Sequence, residues 1–246
     1  MNKKDLRKVS ECTASLVNER GAKFELSPFQ HACCFARREF ALALLKIGGD
    51  PHLRADGGGL SGLPLHLAVS GRSSTSQQEV DDRSAIAAAL VAAGSAVDAE
   101  AVRLACELGA GKARKLAALL LERLPPSAIA SGGGELLRAA VEYEHPEVVR
   151  AAIEGGIPVD DASERYPQGT TALHLAVKKR NADLVQLLVA AGARSDLKDR
   201  KGDTARSMAT KPLLALLEGK APLPAKNSTA APSAEKQKEK QSWRDR

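Results

Sequence analysis

The stretch GTTALHLAV, residues 169–177, sets His174 between two leucines in a run with the apolar pattern of a buried helix. A histidine there could act as a general base or a metal ligand, or it could satisfy buried backbone groups. The choice depends on whether the motif recurs, because a residue that returns in copies of a repeat belongs to the architecture. GLPLHLAV, residues 62–69, carries His66 in the same place, which favours a structural role for both histidines.

A second candidate for chemistry is HACC, residues 31–34, where a histidine and two thiols lie close together. On a helix, His31 and Cys34 share a face while Cys33 points elsewhere. A structural zinc site needs four ligands, and the remaining ones are not available nearby in the sequence. We therefore expect no metal here, and we expect His31 to be a core histidine and Cys106 to fill the core.

Two glycine-rich stretches formally resemble nucleotide-binding loops. GGGLSG, residues 57–62, contains G-x-G-x-x-G but follows no strand of a βαβ unit. GAGKA, residues 109–113, lacks the four-residue spacer and the Ser or Thr of a phosphate loop. Both are interpreted as connections. Since no paired carboxylates or activated nucleophile accompany them, the sequence predicts no cofactor and no catalytic activity.

The elements that position His174 become visible when the chain is aligned with itself. GTTA at 169–172 recurs 33 residues later as GDTA at 202–205. Residues 27–51 fit the same pattern at an offset of 144, and residues 134–160 fit at an offset of 36. Residues 99–124 indicate a helix pair without the histidine or threonine signature. Such a unit is too small to bury its own apolar face, so stacked neighbours must supply the core.

GTTALHLAVKKRNADLVQLLVAAGARSDLKDR, residues 169–200, resembles the ankyrin repeat. It departs from the family pattern chiefly at Ala172, where the family has proline, and at Arg194, where it has aspartate. The resemblance implies an all-α solenoid of stacked helix-turn-helix units with hairpin-like loops, arranged as five repeats and a truncated sixth. It also implies that Thr171 opens the inner helix and that His174 hydrogen-bonds back to it and to the neighbouring loop. For His66 the threonine is replaced by Leu63.

The chain divides into three predicted segments: a capping helix within 1–24, the repeat domain at 25–219 and a disordered basic tail at 220–246. Helical spacing predicts that Leu6, Val9, Cys12 and Leu16 form the apolar face of the capping helix. RSSTSQQEVD, residues 72–81, interrupts the second repeat and is expected to loop out.

Composition limits the function classes. The hydrophobic fraction of 43% can form a sizeable core, while the aromatic fraction of 3% favours closely packed helices. No apolar run approaches the roughly 18 to 20 residues that span a membrane, and reduced cysteines in the cytosol or nucleus are expected. The tail holds seven basic and three acidic residues, a balance of +4 that leaves +2 for residues 1–219. Nucleic acid is therefore a weak expectation, resting on the tail alone.

Function is expected to lie in binding a protein partner through the concave surface of the solenoid. Mapping the exposed inner-helix positions predicts a contact surface that changes from apolar to acidic to basic, with Trp243 as a separate docking element in the tail. Its residues are Phe35, Glu142, Tyr143, Glu144, Lys178, Lys179 and Arg180. The leading hypothesis is a non-catalytic adaptor or scaffold, monomeric alone. A regulatory subunit or inhibitor of an enzyme is the alternative, and ordinary solvated charge is the competing explanation of this surface.

Overall fold

A computed structural model describes residues 14–20, 26–57, 60–70, 76–108, 112–131, 133–161 and 169–219. Its helices are α1 (Ala14–Asn18), α2 (Pro28–Cys34), α3 (Arg38–Lys46), α4 (Pro64–Val69), α5 (Gln77–Ala92), α6 (Ala99–Glu107), α7 (Arg114–Arg123), α8 (Pro126–Ser131), α9 (Gly133–Glu142), α10 (Pro146–Glu154), α11 (Ala172–Lys178), α12 (Ala182–Ala190), α13 (Ala205–Met208) and α14 (Lys211–Leu217). The strands β1 (Ala55–Gly57) and β2 (Leu60–Gly62) form an antiparallel hairpin before α4.

Six helix pairs stack in chain order, each made of an inner and an outer helix. The inner helices α2, α4, α6, α9, α11 and α13 each pack against the next. Outer helices stack in the pairs α3–α5, α5–α7, α7–α10 and α12–α14. The sixth pair is shortened, since α13 has only four residues. The prediction of an all-α solenoid with hairpin-like loops is confirmed.

The core is built from small and medium aliphatic side chains, as the scarcity of aromatic residues predicts. In the fifth pair, Leu173, Ala176 and Val177 of α11 are buried, and so are Leu184 and Leu188 of α12. Their spacing places them on the faces that the two helices turn toward each other and toward neighbouring repeats. Stability therefore depends on contacts between repeats, since one helix pair cannot enclose these side chains alone.

Each inner helix carries a polar side chain at the position of His174, paired with the residue three positions earlier. In α11, the Nδ1 atom of His174 accepts hydrogen bonds from the Thr171 backbone N–H (3.2 Å) and lies 2.8 Å from its Oγ1. In α2, the fully buried Gln30 takes this role, accepting from the Ser27 N–H at 2.9 Å. These bonds satisfy backbone donors that a helix start would otherwise leave unpaired.

The far end of the same side chain reaches the following repeat. His174 Nε2 lies 3.3 Å from the backbone oxygen of Asp203, and Gln30 Nε2 donates to the backbone oxygen of Leu53 at 2.8 Å. His66 keeps the bond from the Leu63 N–H (3.2 Å), but its Nε2 lies 2.9 Å from a carboxylate oxygen of Asp98. Burial opposes the ionisation of Asp98, yet the bonds from His66 and the Ala101 N–H hold its pKa below the ordinary value.

In two repeats, the polar pair at the start of the inner helix consists of a glutamate and an arginine. This substitution was not predicted from the sequence. Arg103 stands 71 residues before His174, and Arg138 stands 36 before it. Arg138 is fully buried and donates to Glu135 at 2.7 Å, while Arg103 donates to Glu100 at 2.7 Å and also pairs with Glu107. The offset of 36 already placed Arg138 at the position of His174, but the threonine and histidine signature does not include arginine, and no offset was assigned to residues 99–124.

In the second repeat, the expectation that residues 72–81 loop out is wrong for residues 77–81, which are helical. Helix α5 begins at Gln77 and has 16 residues, against nine in α3 and nine in α12. It begins there because the Ser76 side chain accepts from the Glu79 N–H and because Val80 is buried. Residues 71–75 lie outside the described residues.

Arg83 anchors the extended start of α5. Its guanidinium is buried, pairs with Glu79 at 3.0 Å and donates to the backbone oxygens of Cys34 and Ala68, each at 3.0 Å. These two oxygens belong to the C-terminal ends of α2 and α4, where helix carbonyls lack partners within the helix. One side chain, two residues after the expected insertion, thus joins two neighbouring inner helices.

Other expectations at the N-terminal end also change. Leu16 is 50% exposed and Val17 is buried instead, so α1 turns a different face to α2 than the spacing indicated. His31 is exposed rather than in the core, because Gln30 occupies the buried position beside it. Leu6, Val9 and Cys12 lie outside the described residues, as do the tail at 220–246 and Trp243.

Helix α8 was not anticipated by the repeat pattern. It lies between the third and fourth pairs and packs against α6 and α10. Ile129 is buried, and a Cβ atom added at Gly155 would lie only 2.4 Å from its Cγ2. A glycine at the end of α10 is therefore what allows α8 to pack closely there.

Replacing Arg138 tests the buried pair of the fourth repeat. Arg138→Ala should lower the free energy of unfolding by about 3 kcal/mol, because it removes a fully buried side chain and takes the donor from the half-buried Glu135. The double variant Glu135→Thr/Arg138→His installs the pair of the fifth repeat and should recover most of this loss. Urea denaturation at pH 7 measures both, with Arg150→Ala on the exposed face of α10 as control. Equal instability of the single and double variants would contradict the interpretation.

The buried His145 predicts a pH dependence of stability. Burial lowers its pKa, although the hydrogen bond of Nε2 with the Cys106 carbonyl opposes this. The stability from this neutral imidazole is fully present above the unfolded pKa of about 6.5 and is lost as the pH falls through the lower folded pKa.

The free energy of unfolding should therefore decrease from pH 7 to pH 5, by at most about 1.4 kcal/mol per pH unit for this group. His145→Asn, which copies Asn181 of the next repeat, should flatten the decrease. The exposed His52→Asn should not. A slope that is unchanged in His145→Asn would show that another group is responsible.

Candidate protein-binding surface

The structure places most of the residues first considered for chemistry in or against the core. His174 is buried against Thr171, and among the described residues no group of three or more His, Cys, Asp or Glu side chains is placed to hold a metal. Burial raises the pKa of the Cys33 and Cys106 thiols to about 12, so both are un-ionised at neutral pH. None of the helices in the described part of the chain is long and apolar enough to cross a bilayer.

The residues predicted to contact a partner lie at the C-terminal ends of three inner helices. Phe35 follows α2, Glu142–Glu144 end α9, and Lys178–Arg180 end α11. The offsets of 36 and 144 place these residues at equivalent positions of their repeats. We name this set the turn surface. Because α9 and α11 pack directly against each other, their two charged groups are neighbours on the solenoid.

The backbone of the turn surface is held in a conformation that favours glycine. Ala36, Glu144 and Arg180 have φ values of 53°, 59° and 56°, and they occupy equivalent positions after α2, α9 and α11. A residue with a Cβ atom in this region costs roughly 1–2 kcal/mol. Two of the three positions nevertheless carry charged side chains, so the charge is retained at a cost in stability. Such retained strain motivates a functional hypothesis.

Four charged side chains of the turn surface, Lys178, Lys179, Arg180 and Glu144, form no ion pair within the described residues. Lys178, Lys179 and Arg180 are exposed, whereas Glu142, Tyr143 and Glu144 are half-buried. Within the described ranges, neither the three cations nor Glu144 takes part in an ion pair, although the exposed Arg194 and Arg206 pair with Asp196 and Glu218. These side chains therefore have charge available for a partner.

The sixth pair does not extend the turn surface. Lys211 stands 33 residues after Lys178 and is exposed. However, α13 ends at Met208 and Lys211 is already the first residue of α14, so it is not equivalent to Lys178, which ends α11.

Phe35 lies at the other end of the turn surface beside a groove. Its side chain is 55% exposed and contacts the ring of His31, with 4.4 Å between the centroids. The groove, about 690 Å³, lies between the starts of α3 and α5 because α5 is extended. It is lined by Ala36, Arg37, Arg38, Glu39, Leu42, Gln78 and Asp82. Arg38 and Asp82 approach each other to 3.7 Å, one from each helix.

Glycine substitutions test the strain at the turn surface. Arg180→Gly should raise the free energy of unfolding by about 0.5–1 kcal/mol, because relief of the positive φ outweighs the entropy of glycine. Lys179→Gly is the matched control, since Lys179 has φ −76° and should be destabilised by the change. Chemical denaturation compares the two. Equal destabilisation by both substitutions would show that the Arg180 backbone is not strained.

Comparisons with known proteins agree with this geometry. Residues 102–199 match the family described as ankyrin repeats, in three copies. The chain resembles the human ASB11 ankyrin repeat domain (21% identity, 85% of this chain and 89% of that one, TM-score 0.53) and the ankyrin repeat domain of Bcl-3, a member of the IkappaB protein family (23%, 87% and 92%, 0.55).

It also resembles the ankyrin repeat protein EF0377 (23% identity, 78% of this chain and 94% of that one, TM-score 0.50). A search of curated proteins finds no match. The identities with solved structures are low, so these likenesses establish the fold. Residues 102–199 therefore match ankyrin repeats, and the six stacked helix pairs together have the fold of an ankyrin repeat solenoid.

Proposed function

We propose that this protein is a non-catalytic adaptor or scaffold that binds a partner protein through the turn surface on the concave side of its solenoid. Ankyrin repeats are generally protein–protein interaction modules, and a stacked solenoid offers an extended surface for such binding. The observation that carries the proposal is the set of exposed charges at Lys178–Arg180, which no acidic side chain of the described residues neutralises.

The arrangement of charge favours a protein over a nucleic acid. A phosphate backbone requires a continuous basic face, because its affinity comes mainly from neutralised phosphates. The turn surface instead changes sign between neighbouring repeats, from Glu142 and Glu144 to Lys178 and Lys179. Opposed patches of this kind select among protein partners and fix their orientation.

Two further contacts belong to the proposal. Phe35 offers an exposed aromatic ring, a side-chain class that often anchors interfaces. Trp243, outside the described residues, would provide a second docking element in the tail. Whether the adaptor also regulates an enzyme depends on the partner, since regulation would use the same surface and differ only in a change of the partner's activity.

Charge reversal tests the proposal. In native extract, crosslinking mass spectrometry should identify partner peptides joined to Lys178 or Lys179 in the wild-type protein. Lys178→Glu/Lys179→Glu/Arg180→Glu should abolish capture of that partner without lowering the melting temperature, since all three side chains are exposed.

The control Lys198→Glu/Arg200→Glu/Lys201→Glu changes the net charge by the same amount on exposed side chains outside the turn surface. It should leave capture intact. Unchanged capture by the turn-surface variant would exclude this patch, and equal loss in both variants would indicate a non-specific charge effect.

A further inference from the structure

The fifth and sixth repeats carry an excess of positive charge beside an acidic neighbour. Residues 169–219 contain nine basic and five acidic residues, whereas residues 134–161 contain two basic and seven acidic residues. Two of these acidic side chains are already engaged, because Glu135 pairs with Arg138 and Glu142 also interacts within the protein. An anionic partner group is therefore attracted to the C-terminal end of the solenoid rather than to the fourth repeat.

Three consecutive cations of this basic region have no counter-charge. Lys178, Lys179 and Arg180 are exposed and form no ion pair within the described residues. Asp183 is the acidic residue closest to them in the chain, and it forms no ion pair with them either. It lies in the first turn of α12, where the positive end of the helix dipole stabilises a carboxylate. The three positive charges are therefore available to carboxylates of a partner.

The backbone that carries these cations is fixed on both sides. At the end of α11, the Arg180 N–H donates to the Val177 backbone oxygen at 2.9 Å. At the start of α12, the Asn181 side chain accepts from the Leu184 N–H at 3.2 Å. A partner thus meets a preorganised backbone, and binding orders only the side chains. Since each ordered Lys or Arg side chain loses rotamer freedom and an exposed ion pair contributes little, several carboxylates must bind together.

The spacing of the three cations limits the segment that they can hold. Consecutive Cα atoms are about 3.8 Å apart, so the Cα atoms of Lys178 and Arg180 are separated by at most about 7.6 Å. Alternate residues of an extended chain lie on one face and are separated by nearly the same distance, about 6.6 Å. An extended segment with acidic residues at alternate positions can therefore place its carboxylates against this cluster.

The neighbouring repeat opposes a longer anion. Helix α9 packs directly against α11, and packed helices lie roughly 8–10 Å apart, so Glu144 is about that far from the equivalent Arg180. A nucleic acid gains its affinity from many neutralised phosphates, and a backbone running along the solenoid would pass Glu144 and the acidic fourth repeat. A short acidic peptide contacts the cations without this repulsion.

We infer that the partner contacts the turn surface through a short acidic peptide segment, in which two or three Asp or Glu side chains at alternate positions bind Lys178, Lys179 and Arg180. This inference rests on the proposed function and specifies the chemistry of the partner. The planar guanidinium of Arg180 can bind one carboxylate through two parallel N–H donors, while the two lysines supply compact charges for the others.

Synthetic peptides test the inference directly. The probe is a fluorescent peptide with three glutamates at alternate positions, separated by serines and flanked by Gly-Ser segments. The control has the same composition and length, with its glutamates at the two ends and the centre. Because both peptides carry the same net charge, a difference in affinity reports the spacing. Fluorescence anisotropy at low salt should show about tenfold tighter binding of the clustered peptide, and high salt should remove the preference.

Two matched variants locate the binding. Lys178→Gln/Lys179→Gln should weaken binding of the clustered peptide by about tenfold or more, since it removes two of the three cations. Lys198→Gln/Lys201→Gln makes the same change of net charge on exposed side chains outside the turn surface and should alter the affinity by less than about twofold. Unchanged melting temperatures show that both variants are folded. If either double variant melts lower, Lys179→Gln and Lys201→Gln provide the same comparison.

A nucleic-acid probe separates a peptide site from a phosphate site. Oligothymidylate should bind the wild-type protein more weakly than the clustered peptide does, and the two double variants should weaken its binding equally, because non-specific affinity follows net charge.

The inference is overturned if the two peptides bind equally, if neither binds, if Lys178→Gln/Lys179→Gln leaves the affinity for the clustered peptide unchanged, or if oligothymidylate binds more tightly than that peptide. The proposed function has a separate outcome. If the peptides fail but a native partner still crosslinks to Lys178 or Lys179 and is lost on charge reversal, the turn surface binds protein by other chemistry.

Discussion

The structure depends on a polar contact at the start of every inner helix. A side chain at the position of His174 accepts from or pairs with the residue three positions earlier, and in most repeats its other end reaches the next one. Buried polar groups are costly when unpaired, so this contact fixes the helix start and the spacing between repeats together. The apolar stacking supplies most of the stabilisation, while the polar contact specifies its register.

The same position accommodates different chemistry without a change of fold. Glutamine, histidine, arginine and serine occupy it in different repeats, at Gln30, His66, Arg138 and Ser207 among others. What they share is a polar group of suitable reach that can bond to the residue three positions back. This explains why repeats with little sequence similarity still stack as one solenoid.

The sequence predicted the repeat period, the fold and the structural role of His174, because these follow from a pattern that recurs. It did not predict the early start of α5, which depends on a tertiary contact of Arg83 with carbonyls about 15 and 49 residues away. It also wrongly placed His31 in the core, because packing decides which of two adjacent residues, here Gln30 or His31, is buried. The candidate surface followed from exposure at equivalent positions, whereas the strain at Glu144 and Arg180 required backbone angles.

The proposed function uses side chains that the stacking of repeats leaves exposed. Contacts between repeats bury the apolar and the paired polar groups, while Lys178, Lys179 and Arg180 at the end of α11 are exposed and form no ion pair within the described residues. A solenoid can change these end residues from repeat to repeat at little cost to the core. The change from acidic to basic side chains between the fourth and fifth repeats is such a variation. It gives the turn surface an acidic side and a basic side.

The tautomers of His174 and His66 provide the most direct test of the central polar contact. In both residues Nδ1 accepts from a backbone N–H, so the proton of the neutral ring must reside on Nε2. Long-range ¹H–¹⁵N correlation spectra at pH 7.5 should therefore show both imidazoles as the Nε2–H tautomer. A proton on Nδ1 of either ring would be incompatible with that bond and would contradict the account of how the repeats are held in register.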